Sequence, residues 1–534
     1  MNIKKRTLLP ILLILSILLS ACGTQPAELT YESALKWVEE STLDENGHYA
    51  VSEELVFALQ NTEFTAPKNI IYMIGDGMGA NIIQATQEKY AEELYGNKLA
   101  INYLTQVGTQ STYSASDKIT DSAAGGTALA TGKKTSNYTV GMDKTHTTNF
   151  KSVLELAAEK GKSTGIIATK SVTDATPASF TAHVEDRLMQ NEIAKQQLAK
   201  IADGTLDLVL GGGTEYYEFF DNEAEFDAAE EKGMSYSEKW EDTLDDKLPL
   251  VGLYAREALN TTAAYLPTLA EMTDLALNLL SKDENGFFLM VEGSQIDSMA
   301  HDNDLEKEIH EMYQFDNAIA VAMRYVALHP DTLLIVTADH ETGGLYFPEE
   351  GYGEGKDYVY LSDYHTSINV PVYALGHGIK EIDTIKENTD IAGFVAEALG
   401  EDDFEQESTI TKLSADTLLA QLSTVKNARA LHYVVKNTGA EKVTLPALKF
   451  QTTDGVTYDA VPQYAYIDAG ETLTLTYVLP VELWQNNAFS KVCSVEMSYD
   501  VVADNAWKTT FGYDKLVGVL EIQEIYVTDR ILEQ

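Results

Sequence analysis

The chain has 534 residues, of which 44% are hydrophobic and 23% charged. That composition is typical of a globular protein with two or three domains and a large core. The formal net charge of −45 argues against nucleic acid as a partner, because phosphate backbones attract Lys and Arg. Excess Asp and Glu are usually a solvated surface, although they also suit a protein that binds divalent cations.

The first residues have the pattern of an export signal. Basic residues at positions 4–6 precede an apolar run over 8–19, and small residues lead to Cys22. The run is short for a transmembrane helix. Its Leu-Ser-Ala-Cys ending resembles a bacterial lipoprotein signal, which implies removal of residues 1–21 and a lipid on Cys22. The mature protein would then be anchored to the outer face of the cytoplasmic membrane, or be periplasmic or extracellular. A plain secretory signal or an uncleaved membrane anchor is the alternative.

Residues 22–66 are polar with weak helical patterns, and we expect a tether and leading helices there. From residue 67 to about 400, apolar runs of strand length alternate with helical patterns. The predicted strands are 69–74, 163–168, 206–210, 287–291, 333–337 and 370–375, and the helices 152–160, 192–201, 268–280 and 308–329. Fully apolar strands between helices indicate an α/β domain with a mostly parallel sheet covered on both faces.

Residues 401–534 have a different texture. Apolar and polar residues alternate over 428–435, 442–450, 457–467, 471–478, 492–502 and 516–527, with turns between them. This pattern predicts a C-terminal antiparallel β domain of the sandwich type. The segment contains a single histidine, His432, and no cluster of chemically active residues, so packing or spacing is its simplest role.

The segment from Thr120 to Ala128 joins a polar turn to a run of small residues that is typical of a helix start. Ser122 would lie in the first turn, where free backbone N–H groups and the helix dipole favour an anion. A serine hydroxyl is a weak nucleophile that needs a base, a lowered pKa or a metal. The simpler interpretation is a helix cap packed by small residues.

Acidic and imidazole side chains follow or flank several predicted strands: Asp76, Glu292, Asp297, His301, Asp339, His340 and His365. Ligands gather at the carboxyl ends of strands in such sheets. Asp297 and His301 are four residues apart, so they share one face of a helix. Mixed carboxylate and imidazole ligation suits Zn²⁺, and a carboxylate-plus-hydroxyl site suits Mg²⁺. Each residue alone is more often a cap, a turn or a satisfied side chain.

Six short segments, in this order, make the region from about 67 to 380 resemble the alkaline phosphatase family. They are Gly75–Gly79, Thr120–Ala124, Asp174–Ala178, Val291–Gly293 with Ile296–Asp297, Thr337–Glu341, and His365–Thr366. The resemblance implies an alkaline-phosphatase-like fold over residues 67–400. It does not extend to the predicted β domain.

The resemblance also implies residue roles. Ser122 corresponds to the nucleophile that becomes phosphoserine. One zinc would be held by Asp297, His301 and His365, a second by Asp76, Asp339 and His340, and one magnesium by Asp76, Thr176 and Glu292. Arg187, thirteen residues after Asp174, falls where the family keeps its phosphate-binding arginine. An ion pair with Glu185 or Asp186 is the structural alternative for Arg187.

This sequence departs from other family members near the magnesium site, where it has Asp174 with Ser298. Family members vary at these positions, and some have histidine, tryptophan or lysine there. Asp174 could hold a magnesium-bound water, whereas Ser298 brings no positive charge near the phosphate. Magnesium affinity and pH optimum therefore do not carry over from the family.

The resemblance implies a metal-dependent hydrolase with two Zn²⁺ and one Mg²⁺ that releases inorganic phosphate from small phosphate monoesters. Dimers are common in the family, so a homodimer is one state it allows. A phosphodiesterase or sulfatase-like hydrolase of the same superfamily is the nearest alternative. A surface protein that binds partners through the β domain is an alternative from another class.

Overall fold

The computed structural model describes residues 29–217, 222–244, 247–347, 358–379 and 385–401. Beyond these it describes residue 404 and the segments 411–413, 430–439, 443–444, 448–452, 456–460, 466–467, 469–479, 492–501, 505–510 and 520–528. The predicted signal peptide and Cys22 lie outside the described residues and stay predictions.

A ten-stranded sheet and a short two-stranded ribbon lie between residues 69 and 387. In chain order the strands are β1 (Asn69–Gly75), β2 (Thr105–Ser111), β3 (Ser163–Ser171), β4 (Leu208–Gly212), β5 (Ser235–Ser237), β6 (Leu250–Leu253), β7 (Phe287–Gly293), β8 (Thr332–Thr337), β9 (Glu341–Thr342), β10 (His365–Thr366), β11 (Val370–Leu375) and β12 (Ile385–Glu387). The large sheet has the order β12-β2-β11-β8-β1-β7-β3-β4-β6-β5, and β9 pairs with β10.

The sheet is mostly parallel, as the fully apolar strands predicted. Every neighbouring pair from β8 to β5 is parallel, whereas β11 runs antiparallel to both β8 and β2. All six predicted strands of this region are confirmed within a few residues. The sequence did not predict β2, β5, β6 or β12, because β2 is partly exposed and polar and the other three are only three or four residues long.

Helices cover the sheet, in chain order α1 (Tyr31–Glu40), α2 (Glu53–Asn61), α3 (Ala80–Tyr90), α4 (Ser122–Thr131), α5 (Val153–Glu159), α6 (Ala175–Thr181), α7 (Gln190–Asp203), α8 (Thr214–Tyr217), α9 (Glu223–Glu231), α10 (Trp240–Thr243), α11 (Leu269–Leu280), α12 (Gln295–His301), α13 (Leu305–Leu328) and α14 (Asn388–Ala398). Short 3₁₀ turns lie at Tyr95–Asn97 and Ala100–Tyr103.

Two apolar cores lie on opposite faces of the sheet, as a doubly covered sheet requires. Successive side chains of a strand point to opposite faces. Ile71 and Met73 of β1 belong to the core that includes residues of α11 and α13. Ile70 and Tyr72 belong to the core that includes residues of α5, α7 and α14.

The described C-terminal segments form two antiparallel sheets. Their strands are β13 (Thr411–Leu413), β14 (Ala430–Asn437), β15 (Val443–Thr444), β16 (Leu448–Thr452), β17 (Thr457–Ala460), β18 (Tyr466–Ile467), β19 (Thr472–Val478), β20 (Val492–Val501), β21 (Asn505–Thr510) and β22 (Leu520–Thr528). One sheet has the order β13-β22-β14-β19, and the other has β17-β16-β20-β15-β18 with β21 on β20. The antiparallel class is confirmed, and the domain boundaries stay predictions.

Helix α4 is buried along its whole length, and its glycines explain how it fits. A Cβ on Gly125 would lie 2.9 Å from the carbonyl oxygen of Asp339, and one on Gly126 would lie 2.9 Å from Ser179 Oγ of α6. The small residues therefore let α4 press against α6 and the segment that follows β8. This close packing brings the start of α4 to the edge of the sheet.

We expect Gly126→Val to lower the free energy of unfolding by about 1–3 kcal/mol, because the added atoms must displace α6. Ala80→Val at the exposed start of α3 is the control, since it adds the same β-branched side chain without a buried neighbour. Urea unfolding of both variants measures the difference. Equal midpoints would contradict the packing role of Gly126.

Candidate active site

The carboxyl ends of adjacent strands bring the predicted acids together. In the sheet order β8-β1-β7-β3, Asp339 follows β8, Asp76 follows β1 and Glu292 lies near the end of β7. All three side chains are buried. Neighbouring parallel strands end at one edge, so residues far apart in sequence meet there.

Ser122 begins α4 and is 3% exposed. Asp121 caps the helix, because its Oδ1 accepts from the Ala124 N–H at 3.0 Å. The Ser122 Oγ lies 3.1 Å from Nε2 of His340. The predicted helix start is confirmed, and it places the hydroxyl beside one of the predicted imidazole ligands.

Hydrogen bonds on the far side of each ring assign the imidazole tautomers. Nδ1–H of His365 donates to the carbonyl of Thr120 at 2.8 Å, and Nδ1–H of His301 donates to the carbonyl of Asp363 at 2.6 Å. Since a carbonyl only accepts, Nδ1 carries the proton on both rings. These bonds turn Nε2 of each ring into the cluster, and in the neutral ring this nitrogen could bind a metal.

Hydrogen bonds through the Thr342 hydroxyl orient His340. Thr342 Oγ1 donates to Asp297 Oδ1 at 2.7 Å, so the same hydroxyl accepts from Nδ1–H of His340 at 3.2 Å. This bond leaves Nε2 of His340 as an acceptor that faces Ser122. Burial and the neighbouring His365 hold the pKa of His340 well below its ordinary value, so the ring is neutral.

The first acceptor cluster contains Asp297, His301 and His365. The two Nε2 atoms lie 3.1 Å apart, and Asp297 Oδ1 lies 3.2 Å from one and 3.4 Å from the other. Asp297 Oδ1 also accepts from Thr342, and Asp297 raises the pKa of both rings. A cation at the centre would take the place of protons on the two Nε2 atoms, and two imidazoles with a carboxylate suit Zn²⁺.

The second cluster contains Asp76, Asp339 and His340, whose ligand atoms lie within 4.8 Å of one another. Nε2 of His340 is 3.2 Å from Asp339 Oδ2 and 3.5 Å from Asp76 Oδ1. Both of these buried oxygens lack a hydrogen-bond donor among the described residues. Burial and the other carboxylates raise the pKa of Asp76 well above its ordinary value. This donor set also suits a divalent cation.

Glu292 and Thr176 are the residues predicted to hold magnesium together with Asp76. Thr176 Oγ1 is buried without a hydrogen-bond partner among the described residues, and Glu292 Oε2 accepts from Ser294 Oγ at 2.7 Å. Burial and the charge of Asp174 raise the pKa of Glu292 to about 8. A buried carboxyl with a raised pKa and a buried hydroxyl without a described partner are oxygen donors of the kind that suits Mg²⁺. The assignment of individual ligands to individual ions stays a prediction.

Arg187 is held by two carboxylates from distant parts of the chain. Its Nη2 lies 2.8 Å from Asp174 Oδ1, and its Nη1 lies 3.3 Å from Asp121 Oδ2. The structural alternative, an ion pair with Glu185 or Asp186, is not among the described contacts. Asp121 therefore serves two groups, since its other oxygen caps the helix that carries Ser122.

Sequence reasoning missed some of the residues that organise the site. Lys170 has its Nζ 3.5 Å from Asp174 Oδ2, and it stands in no motif, although it lies four residues before Asp174. Thr342 lies one residue past the recognised segment Thr337–Glu341. His183 contacts Gly141 and Glu155, and His377 contacts Phe64.

A cavity of about 470 Å³ opens over Arg187 and His365. Large apolar side chains line its mouth: Ile119, Tyr138, Leu188 and Tyr364, which are 41%, 57%, 74% and 70% exposed. The floor is charged and the rim is apolar, so the cavity offers different environments to the two ends of a ligand.

The sheet edge therefore carries the kind of site that binds metals in α/β proteins. A sequence profile described as Alkaline phosphatase matches residues 67–361. The chain belongs to the alkaline phosphatase family.

Known relatives are similar over part of the chain. Alkaline phosphatase 3 of Bacillus subtilis is 38% identical over 299 residues, which is 53% of this chain and 63% of that protein. Streptomycin-6-phosphate phosphatase of Streptomyces griseus is 32% identical over 64% of this chain and 92% of its own length. The match thus spans less than two thirds of the Bacillus protein.

An alkaline phosphatase from the Antarctic bacterium TAB5 has a similar fold. It superposes with a TM-score of 0.56 and 31% identity over 64% of this chain and 99% of its own. A variant of that protein, with a histidine replaced by aspartate, has magnesium bound in a site named M3.

Within the described part of the chain, no helix has the length and apolar character needed to cross a membrane.

The raised pKa of Glu292 predicts a pH dependence of stability. Its ordinary value is 4.5, and in the folded protein the pKa is about 8. The neutral acid is favoured on folding, so this contribution is complete below the ordinary value and is lost as pH rises through about 8. We expect the metal-free protein to lose unfolding free energy over this range, and Glu292→Gln to flatten the loss.

Glu308 provides the control, because its pKa is also raised to about 8, mainly by burial, and it lies outside the predicted ligand set. Urea unfolding across this pH range, with and without zinc and magnesium, separates the two residues. Metals should remove the Glu292 contribution and leave the Glu308→Gln effect unchanged. A metal-free protein that gains stability as pH rises would contradict the assignment.

Proposed function

We propose that this protein is a metal-dependent alkaline phosphatase that hydrolyses phosphate monoesters through a phosphoserine at Ser122. It uses two Zn²⁺ and one Mg²⁺ held by the predicted ligands. The observation that carries the proposal is the pair of carboxylate and imidazole clusters beside a serine at a helix start. Such clusters are costly to bury without cations, and a hydroxyl next to them is suited to attack.

In the first step, the Ser122 hydroxyl gives its proton to water and Oγ attacks the phosphorus of the bound ester. The bond between phosphorus and the ester oxygen breaks, and the departing alcohol takes up a proton from water. The capped start of α4 fixes the position of Oγ before the attack, beside the cluster that contains His340.

Arg187 would bind two oxygens of the phosphoryl group with its forked guanidinium. Asp121 and Asp174 form ion pairs with this guanidinium, so its orientation is set before substrate binds. Positive charge aimed at the equatorial oxygens stabilises the transition state of phosphoryl transfer.

In the second step, a water oxygen attacks the phosphoserine, the bond from phosphorus to Oγ breaks, and Ser122 regains its proton as inorganic phosphate leaves. Divalent cations at the two clusters would supply the charge that lowers the pKa of the hydroxyl and of water and stabilises the leaving oxygen. The buried site limits solvent, which strengthens these charge interactions.

The place of action belongs to the same proposal. The signal-like start and Cys22 support export and a lipid anchor outside the cytoplasmic membrane. Small phosphorylated molecules are the proposed substrates. A homodimer is compatible with the proposal.

The proposal is tested by comparing hydrolysis of an aryl phosphate monoester with that of the matched diester, with zinc and magnesium and then with a chelator. We expect chelator-sensitive monoester activity. Preference for the diester would favour a sister branch of the superfamily, and metal binding without either activity would favour a binding role for the β domain.

Ser122→Ala should lower monoester turnover on the order of a thousandfold or more, because no other group can form the covalent intermediate. Acid quenching with a labelled substrate should also find no phosphoprotein. Ser179→Ala is the control, since it removes another buried serine hydroxyl whose bonds are to helix carbonyls. Undiminished activity of Ser122→Ala would remove this residue from the mechanism.

Arg187→Ala should raise the inhibition constant of inorganic phosphate by about tenfold or more, and Arg187→Lys should restore only part of the loss, because Lys lacks the two-pronged geometry. Arg256→Ala is the control, since its side chain is 81% exposed and pairs with Glu215 at the surface. An unchanged inhibition constant for Arg187→Ala would contradict the assignment.

A further inference from the structure

Lys170 lies near the end of β3, close to the proposed magnesium site, in no recognised motif. Its Nζ is 3.5 Å from Asp174 Oδ2, and the two side chains are 24% and 22% exposed. Its backbone N–H donates to Ser294 Oγ at 3.3 Å, and Ser294 in turn donates to Glu292 at 2.7 Å. The backbone of Lys170 is thus tied to one predicted magnesium ligand while its ammonium faces Asp174.

Both oxygens of Asp174 are engaged. Oδ1 accepts from Arg187 Nη2 at 2.8 Å and from the Ala175 N–H at 2.8 Å, and Oδ2 faces Lys170. Asp174 therefore lies between two cations. The expectation that Asp174 could hold a magnesium-bound water stays a prediction. Lys170 brings a positive charge to Asp174 from β3.

We propose that Lys170 is a positioning residue that holds Asp174 toward Arg187 and away from the magnesium site. The inference rests on the proposed function, because it gives Arg187 the role of binding phosphate. Its content is a trade between two ligands: Lys170 weakens magnesium binding and strengthens phosphate binding.

The direction of each effect follows from charge. An ammonium next to the site repels a divalent cation and occupies an oxygen that could serve it. Without the ammonium, Asp174 Oδ2 is free and the local charge is more negative, so Mg²⁺ should bind more tightly. The same change opposes a phosphate dianion.

A purely structural ion pair would behave differently. Partly exposed ion pairs contribute little to stability. Loss of a purely structural pair would therefore change the free energy of unfolding slightly and leave ligand affinity unchanged. The deciding quantities are therefore the magnesium and phosphate binding constants, because a purely structural role would not shift the two in opposite directions.

The experiment uses Lys170→Met, which keeps the length of the side chain and removes its charge, and Lys170→Arg, which keeps the charge. Lys200→Met is the matched control, because Lys200 also forms a shielded ion pair, with Glu155, at 16% exposure of each side chain. Magnesium chloride and, separately, inorganic phosphate are titrated calorimetrically into the zinc-loaded full-length protein, and phosphate is also measured as an inhibitor.

For Lys170→Met we expect the magnesium dissociation constant to fall about tenfold and the phosphate inhibition constant to rise about fivefold, the sizes typical of losing one shielded charge contact. Lys170→Arg should stay near the wild-type values for both ligands, and Lys200→Met should leave both unchanged. Lys170→Gln replaces Lys170→Met if that variant does not fold.

The inference requires both shifts in Lys170→Met. An unchanged magnesium constant, an unchanged phosphate constant, or equal shifts in Lys200→Met overturns it. Calorimetry needs no turnover, so failure of the proposed function, seen as a wild-type protein without monoesterase activity, is distinguishable from failure of the trade between ligands.

Discussion

The constraint on which this site depends is the burial of acceptors without enough donors. Asp297 and two imidazole nitrogens face one another within 3.4 Å, and buried oxygens of Asp76 and Asp339 lack donors among the described residues. Such groups repel one another in a low-dielectric interior. A fold that keeps them together is organised for cations. Burial and the neighbouring carboxylates raise the pKa of Asp76, so without a cation this carboxyl favours its protonated form.

The sheet and the small residues of α4 make this crowding geometrically possible. Strands β8, β1 and β7 deliver three acids to one edge because parallel neighbours end together. Gly125 and Gly126 then let α4 approach closely enough for Ser122 to reach His340. The local sequence of the strands and of α4 therefore favours the same structure as the overall fold, as expected for a sequence that folds to one state.

The sequence predicted the main sheet well, since its buried strands are unbroken apolar runs such as Asn69–Gly75. It also predicted which residues gather at the edge, because acids at strand ends and the ordered motifs are readable without coordinates. It could not predict Lys170 or Thr342, since their roles come from tertiary contacts across the sheet. The antiparallel direction of β11 was equally invisible, because apolar runs carry no sign of strand direction.

Asp121 has a further consequence for how this site can change. One carboxylate caps the helix of Ser122 and braces Arg187, so the nucleophile and the anion clamp share a common support. Substitutions at the two functions would then be non-additive, because residues that share a partner couple energetically. A substitution that repositions Ser122 would therefore also affect Arg187. Evolution of a new activity would first require a change at Asp121 that lets the two residues vary independently.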